Sequence, residues 1–166
     1  GELLHDDLPE TDRREFAAQV LAQTDRLQAM VDKMLELSKL EQRHGGLPLE
    51  KLLWADVLKP FVAESQSIRA QHAIEIIVSP HNPSVLAAPG LLTLALSNLL
   101  ENARSFAPPG SRIVMEADGA TVSVRDFGPG VADYALPRLG ERFFSTARPD
   151  GQHKGSGLGL AIVRQI

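Results

Sequence analysis

Three short stretches of this sequence hold residue types that could do chemistry. The first is Ser97-Asn98-Leu99-Leu100-Glu101-Asn102-Ala103, inside an apolar run from Leu91 to Ala107 that reads as a helix. Asn98 and Asn102 are four apart and share one helical face. A buried amide left without partners costs about 1–3 kcal/mol. An Asn pair on an apolar helix is therefore either a satisfied polar pair or a site for a ligand that takes oxygen atoms, such as a hydrated Mg²⁺ carrying phosphates. The second stretch is Asp126-Phe127-Gly128-Pro129-Gly130, directly off a predicted strand. A carboxylate at a strand end can accept a hydrogen bond from an exocyclic amine such as that of adenine. The two glycines let the backbone turn sharply and approach a flat ligand. Taken alone, the pattern reads first as a turn. The third stretch is Gly155-Ser156-Gly157-Leu158-Gly159-Leu160, leading straight into Ala161-Ile162-Val163-Arg164. Alternate glycines at a helix start free backbone N–H groups to face an anion, which the helix dipole favours. Their spacing matches neither a Rossmann fingerprint nor a Walker A loop. Leu158 and Leu160 argue against a flexible linker, because they are in register with the helix that follows.

Positioning these stretches requires a framework, and the patterning supplies one. Asp7-Leu8-Pro9-Glu10 has a capping Asp, an early Pro and a Glu three residues after the Asp, and it predicts a helix running to about Arg43. Val20, Thr24, Leu27, Val31, Met34 and Ser38 follow a heptad spacing along it, and Leu21, Met30, Leu35 and Leu37 widen the stripe. A seam this broad suits a helical bundle. His44-Gly45-Gly46 is a helix stop and hinge. Beyond it, Leu47–Trp54 reads as a short strand, Ala55–Gln71 as an amphipathic helix, Ala73–Val78 as a strand and Ser84–Ala88 as another. Pro89-Gly90 opens the Asn-bearing helix. Strands at Arg112–Ala117 and Thr121–Asp126 are joined by Asp118-Gly119-Ala120, a hairpin signal. Val131–Lys154 is rich in Gly, Pro, Arg and Ser and is long for an ordinary connection, so it is functional or mobile. This order predicts a helical appendage at 1–45 and an α/β two-layer sandwich at 46–166, its mixed sheet covered by helices on one face.

Composition removes several classes of function. With 166 residues, 43% of them hydrophobic, the chain is long enough to bury a core and is not wholly disordered. Its net charge of -4, without a block of like charges, and its 5% aromatic content speak against a nucleic-acid surface. The absence of cysteine excludes disulfide and thiol chemistry and fits a reducing compartment. No run reaches membrane-spanning length, and the first residues are not a signal peptide. The closing helix, Leu158–Ile166, lacks a cap, and the first residues read as the tail of an earlier element. The expectation is a piece of a longer protein, with its sandwich truncated at the C-terminus.

In this order, the Asn-x-x-x-Asn helix, the Asp-x-Gly-x-Gly turn, the segment Glu141-Arg142-Phe143-Phe144 and the glycine stretch before the last helix resemble the N, G1, F and G2 boxes of sensor histidine kinases. Met34-Leu35-Glu36-Leu37-Ser38-Lys39-Leu40-Glu41 resembles the second helix of that family's dimerisation and phosphotransfer domain. The resemblance implies a Bergerat ATP-binding fold, with ATP and Mg²⁺ as ligands. It implies that Asn102 coordinates Mg²⁺ with Asn98 beside it, and that Asp126 reads the adenine amino group with Gly128 and Gly130 along the base. Phe106 and Val131 would pack on adenine. Ser156, Gly157, Leu158 and Gly159 would offer N–H groups to the phosphates, and Arg142, Arg148 and Lys154 are candidate phosphate partners from a lid at Val131–Lys154. Those three read equally as solvated surface cations. The implied partners are a cognate response regulator and a second copy of the full-length protein. The implied location is the cytoplasmic portion of an inner-membrane sensor.

Two departures stand out. Relatives commonly carry a basic residue three positions after the second Asn, where this chain has Ser105. The family's phosphoacceptor His precedes an acidic residue and a Pro on an earlier helix. His5 falls in the expected loop between helices, and His44, His72, His81 and His153 read as loop or surface residues. No catalytic residue is therefore assigned, and the chain is expected to bind Mg-ATP without phosphorylating itself. Two rivals remain. Hydrolytic ATPases of the gyrase and Hsp90 type share the fold but place a Glu where Asn98 stands, and Glu101 points about 100° away from Asn102. The other rival is a nucleotide-free dimeric interaction module.

Overall fold

The computed structural model describes residues 9–42, 47–65, 72–146 and 155–166. The long helix α1 spans Glu10–Glu41, and its N-cap is Pro9, which makes no side-chain cap. The expected capping residue, Asp7, lies outside the described residues. Then follow β1 (Glu50–Leu53), α2 (Trp54–Ser65), β2 (Ala73–Val78), β3 (Ser84–Ala87), α3 (Pro89–Phe106), β4 (Arg112–Asp118), β5 (Thr121–Arg125), a 3₁₀ turn at Leu136–Arg138 and α4 (Gly159–Gln165).

The sheet is mixed, as the element order predicts. β2 pairs parallel with β4, and β4 pairs antiparallel with β5. β1 and β3 form a separate antiparallel ribbon, with Leu52 opposite Val85. Period-two patterning decides which face of the sheet is covered. Ile113, Met115 and Ala117 on β4 are fully buried, while Arg112, Glu116 and Asp118 between them face solvent. Ile74, Ile76 and Val78 on β2 and Val122 and Val124 on β5 join the same face. Helices α2 and α3 close it with Leu58, Phe61, Leu96 and Leu100. The sheet is thus covered by helices on one face.

Trp54 corrects the first boundary. The sequence pattern ends a strand on it, but it is the first residue of α2. Its backbone N–H donates to Pro83 O at 2.9 Å, which ends the β1–β3 ribbon there. Its indole N–H donates to Gly119 O at 2.8 Å, so the fully buried ring ties the start of α2 to the β4–β5 turn. Asn82 adds a second tie, accepting from Gly119 N–H at 3.0 Å and donating to Asp118 Oδ1 at 3.0 Å.

A second, smaller core docks α1 onto the sandwich. Leu37 is buried with Leu158, Ala161 and Ile162 of the last helical segment, and Met30, Leu40 and Leu94 pack around them. Towards the N-terminus of the heptad stripe, Val20, Thr24, Leu27, Val31 and Met34 are solvent-exposed. His72 departs from the expected surface position. It is buried, with Nδ1 3.3 Å from Ser111 O. Placed just before β2, it faces the loop that leads into β4. His81 is exposed, as expected. His5, His44 and His153 lie outside the described residues. No helix among the described residues is long and apolar enough to cross a membrane.

Candidate functional site

Helix α3 sets one wall of a cleft. It starts at Pro89, whose missing N–H and fixed φ suit the first helical turn. Leu96, Leu100 and Ala103 turn into the core, which leaves the Asn face towards α4. Asn98 is only 5% exposed. Its Nδ2 donates to Leu94 O at 2.9 Å, while its buried Oδ1 has no hydrogen-bond partner. A Cβ at Gly159 would stand 3.1 Å from that oxygen, so the glycine is what lets the start of α4 come this close. One turn further on, half-buried Asn102 lines the cleft itself.

The end of β5 supplies a second wall. Asp126 Oδ1 accepts the Gly128 N–H at 2.8 Å, a short local turn that fixes the carboxyl group. Gly128 has no room for a side chain, because a Cβ there would fall 2.5 Å from Phe106 O and 2.8 Å from Asp126 Oδ1. Gly128 therefore presses the Asp turn against the end of α3, and it is absent from the cleft lining. Gly130, with φ +75, and Val131 do line the cleft.

The third wall is the glycine stretch interlocked with the aromatic segment. Gly157 has φ +68, and a Cβ on it would lie 2.5 Å from Phe143 C and 2.7 Å from both Phe144 N and Phe144 O. Phe143 N–H donates to Gly157 O at 3.0 Å. Phe143 itself has φ +63, a conformation that costs a non-glycine residue about 1–3 kcal/mol and persists only where neighbours hold it. The Arg138 guanidinium lies 4.2 Å from the centre of the Phe144 ring, a cation–π contact that steadies the segment.

Of the residues singled out from sequence, Asn98, Asn102, Phe106, Asp126, Gly130, Val131, Ser156, Gly157 and Gly159 converge on this one cleft. Two more do not. Leu158 is fully buried against α1, and its N–H is already donated to Ser156 Oγ at 3.4 Å, so it anchors the turn from within. Arg142 forms an ion pair with Glu41 at the end of α1 and is not part of the lining. Arg148 and Lys154 lie outside the described residues. Sequence reasoning missed Lys33, which also lines the cleft, as do Leu139 and Ser145 from the segment expected to form the lid. Lys33 is brought there by docking of α1, and its Nζ is 2.6 Å from Glu101 Oε2. A lysine on an amphipathic helix reads as a solvated cation, and nothing local marks it otherwise.

The donor set bears on which ion could sit here. Among the described residues no group of three His, Asp or Glu side chains could hold a metal alone. An amide oxygen at Asn102 and the orphaned Oδ1 of Asn98 are hard, neutral ligands. They suit a hydrated divalent cation that takes its remaining oxygens from an anionic ligand.

Comparison with known proteins matches residues 87–166 to the histidine kinase-, DNA gyrase B-, and HSP90-like ATPase family. Sensor protein CreC of Escherichia coli (strain K12) is 39% identical over 173 residues, covering 100% of this chain and 35% of that protein. Sensor protein QseC of the same strain is 37% identical over 169 residues, covering 98% of this chain and 36% of that protein. The chain thus spans about a third of the length of these relatives. Among solved structures, full-length ShkA in complex with AMPPNP matches with a TM-score of 0.70 and 28% identity, over 98% of this chain and 35% of that one.

Proposed function

This chain belongs to the histidine kinase-, DNA gyrase B-, and HSP90-like ATPase family, and from that premise we propose that it is the ATP-binding catalytic region of a sensor histidine kinase. In this reading the γ-phosphoryl group of ATP passes to a His on a preceding helix and then to an Asp of a response regulator. Helix α1 belongs to the dimerisation and phosphotransfer domain, residues 46–166 form the catalytic domain, and the parent protein is an inner-membrane sensor that acts as a dimer.

The observation that carries the reading is the convergence of Asn102, Asp126 and the Gly157–Gly159 turn on one cleft. The Asp126 carboxyl group, fixed by the Gly128 N–H, accepts a hydrogen bond from the adenine amino group. Phe106 and Val131 pack on the ring. Backbone around Ser156, Gly157 and Gly159 faces the phosphates, close to where Lys33 enters the cleft. Asn102 and Asn98 would hold the Mg²⁺, which would supply neutralisation of the phosphate charge. What remains for the protein is positioning and exclusion of water, the dominant demands of phosphoryl transfer.

Asn98 favours transfer to a protein group over transfer to water. Its amide cannot accept a proton from an attacking water, and its Nδ2 is spent on Leu94 O. Glu101, the nearest carboxylate on α3, is paired with Lys33. Titration with ATP and Mg²⁺ tests the reading on the unsubstituted chain, Asn102→Ala and Asp126→Asn. Saturable binding that both substitutions weaken at least tenfold is expected. Absence of binding would favour the nucleotide-free interaction module, and steady ATP turnover lost in Glu101→Gln would favour a hydrolytic ATPase.

A further inference from the structure

Charge along the cleft poses a problem for a polyanionic ligand. Among the described residues that line it, Glu101, Asp126 and Glu141 are acidic and Lys33 is the one cation. Position 105, one turn beyond Glu101 on α3, carries a serine whose Oγ donates to Glu101 O at 2.8 Å, so no charge enters there. Arg142 is engaged with Glu41 outside the lining. Lys33 comes from α1, yet its side chain is only 24% exposed, against 58% for its partner Glu101. One turn along α1 from Lys33, Leu37 is buried against Leu158, the residue directly after Gly157. The hydrophobic contact that docks α1 therefore also fixes where the Lys33 ammonium stands relative to the glycine turn.

We propose that Lys33 is a phosphate-contacting residue of the nucleotide site, delivered by α1, and that Glu101 holds its ammonium at the cleft for a phosphate oxygen to engage. A lysine ammonium has three N–H donors, so one can stay on Glu101 while another turns to a phosphate. Lys33 then supplies from another element the positive charge that Ser105 does not. A consequence is that ATP affinity depends on whether α1 is docked. This inference rests on the ATP reading above.

The test is a set of NMR chemical-shift titrations of the whole chain with ATP and with adenosine, in the unsubstituted protein, Lys33→Met and Lys33→Arg. Methionine keeps the length of the stem and removes the charge. Loss of one charge-assisted hydrogen bond in a partly buried site predicts about tenfold weaker ATP binding in Lys33→Met. Adenosine, which has no phosphate, should bind within about twofold of the unsubstituted chain, and Lys33→Arg should recover most of the ATP affinity. If Lys33→Met binds ATP as tightly as the unsubstituted chain, Lys33 touches no phosphate and the inference falls while the ATP reading stands. If ATP and adenosine weaken equally, Lys33 only props α1, which also overturns it. An unsubstituted chain that binds no ATP overturns both.

Discussion

Replacing Gly157 by alanine is the sharpest single perturbation of the cleft. The residue has φ +68, and alanine there costs roughly 1–2 kcal/mol of left-handed strain. Its Cβ would meet Phe143 C at 2.5 Å and Phe144 N at 2.7 Å, and these are backbone atoms that cannot swing aside. Separating the two segments breaks the bond from Phe143 N–H to Gly157 O, worth about 0.5–1.5 kcal/mol. The sum, about 1.5–3.5 kcal/mol, corresponds to a roughly 10- to 300-fold fall in the population of the closed turn. Because Gly157 lies outside the main core, the cost should appear as weaker ATP binding, not as global unfolding. The assay is ATP titration together with urea unfolding followed by fluorescence of Trp54, the sole tryptophan, which is buried in the main core. Gly110→Ala is the control. It has φ +76 and nothing within 4 Å of an added Cβ, so it carries the strain without the clash and lies away from the cleft. ATP affinity of Gly157→Ala within threefold of the unsubstituted chain would refute the reasoning.

Three further substitutions probe the framework. Trp54→Phe removes the indole N–H donated to Gly119 O and leaves that carbonyl unpaired, so urea unfolding followed by circular dichroism should show a loss of about 1–3 kcal/mol at an unchanged m-value. Leu37→Ala opens a cavity in the small core against Leu158 and Ile162, at a local cost of about 2–5 kcal/mol. Amide exchange in α1 and α4 should accelerate while the Trp54-monitored midpoint stays put. Glu41→Ala deletes a half-exposed ion pair with Arg142 and should change stability by less than about 1 kcal/mol, measured in the same urea series.

How far the sequence reaches is best judged residue by residue. The β4–β5 hairpin and the Asn-bearing helix were legible because their signals are local. Period-two alternation marks Ile113, Met115 and Ala117, and a glycine turn sits between two β-branched runs. Convergence of the Asn, Asp and Gly stretches on one cleft followed from their order once the family resemblance was admitted. Contacts between distant segments were not legible. Lys33 and Glu101 meet across 68 positions, and only the burial of Leu37 against α4 brings them together. Leu158 reads as one more backbone donor in a glycine loop, yet the second core claims its side chain and Ser156 its N–H. Likewise, no pattern around Leu47–Trp54 shows that its strand pairs with β3 in a ribbon of its own, or that Trp54 is held by a carbonyl on the far β4–β5 turn. Tertiary partners decide such residues, and local propensity does not see them.

The central claim is that ATP sits in the cleft between α3, the Asp126 turn and the Gly157 turn. Hydrogen exchange of the chain with and without Mg-ATP tests it most directly. The account predicts slowed exchange at residues 126–131 and 155–159, with the β1–β3 ribbon unchanged. Protection confined to other parts of the chain, or none at saturating nucleotide, would contradict it.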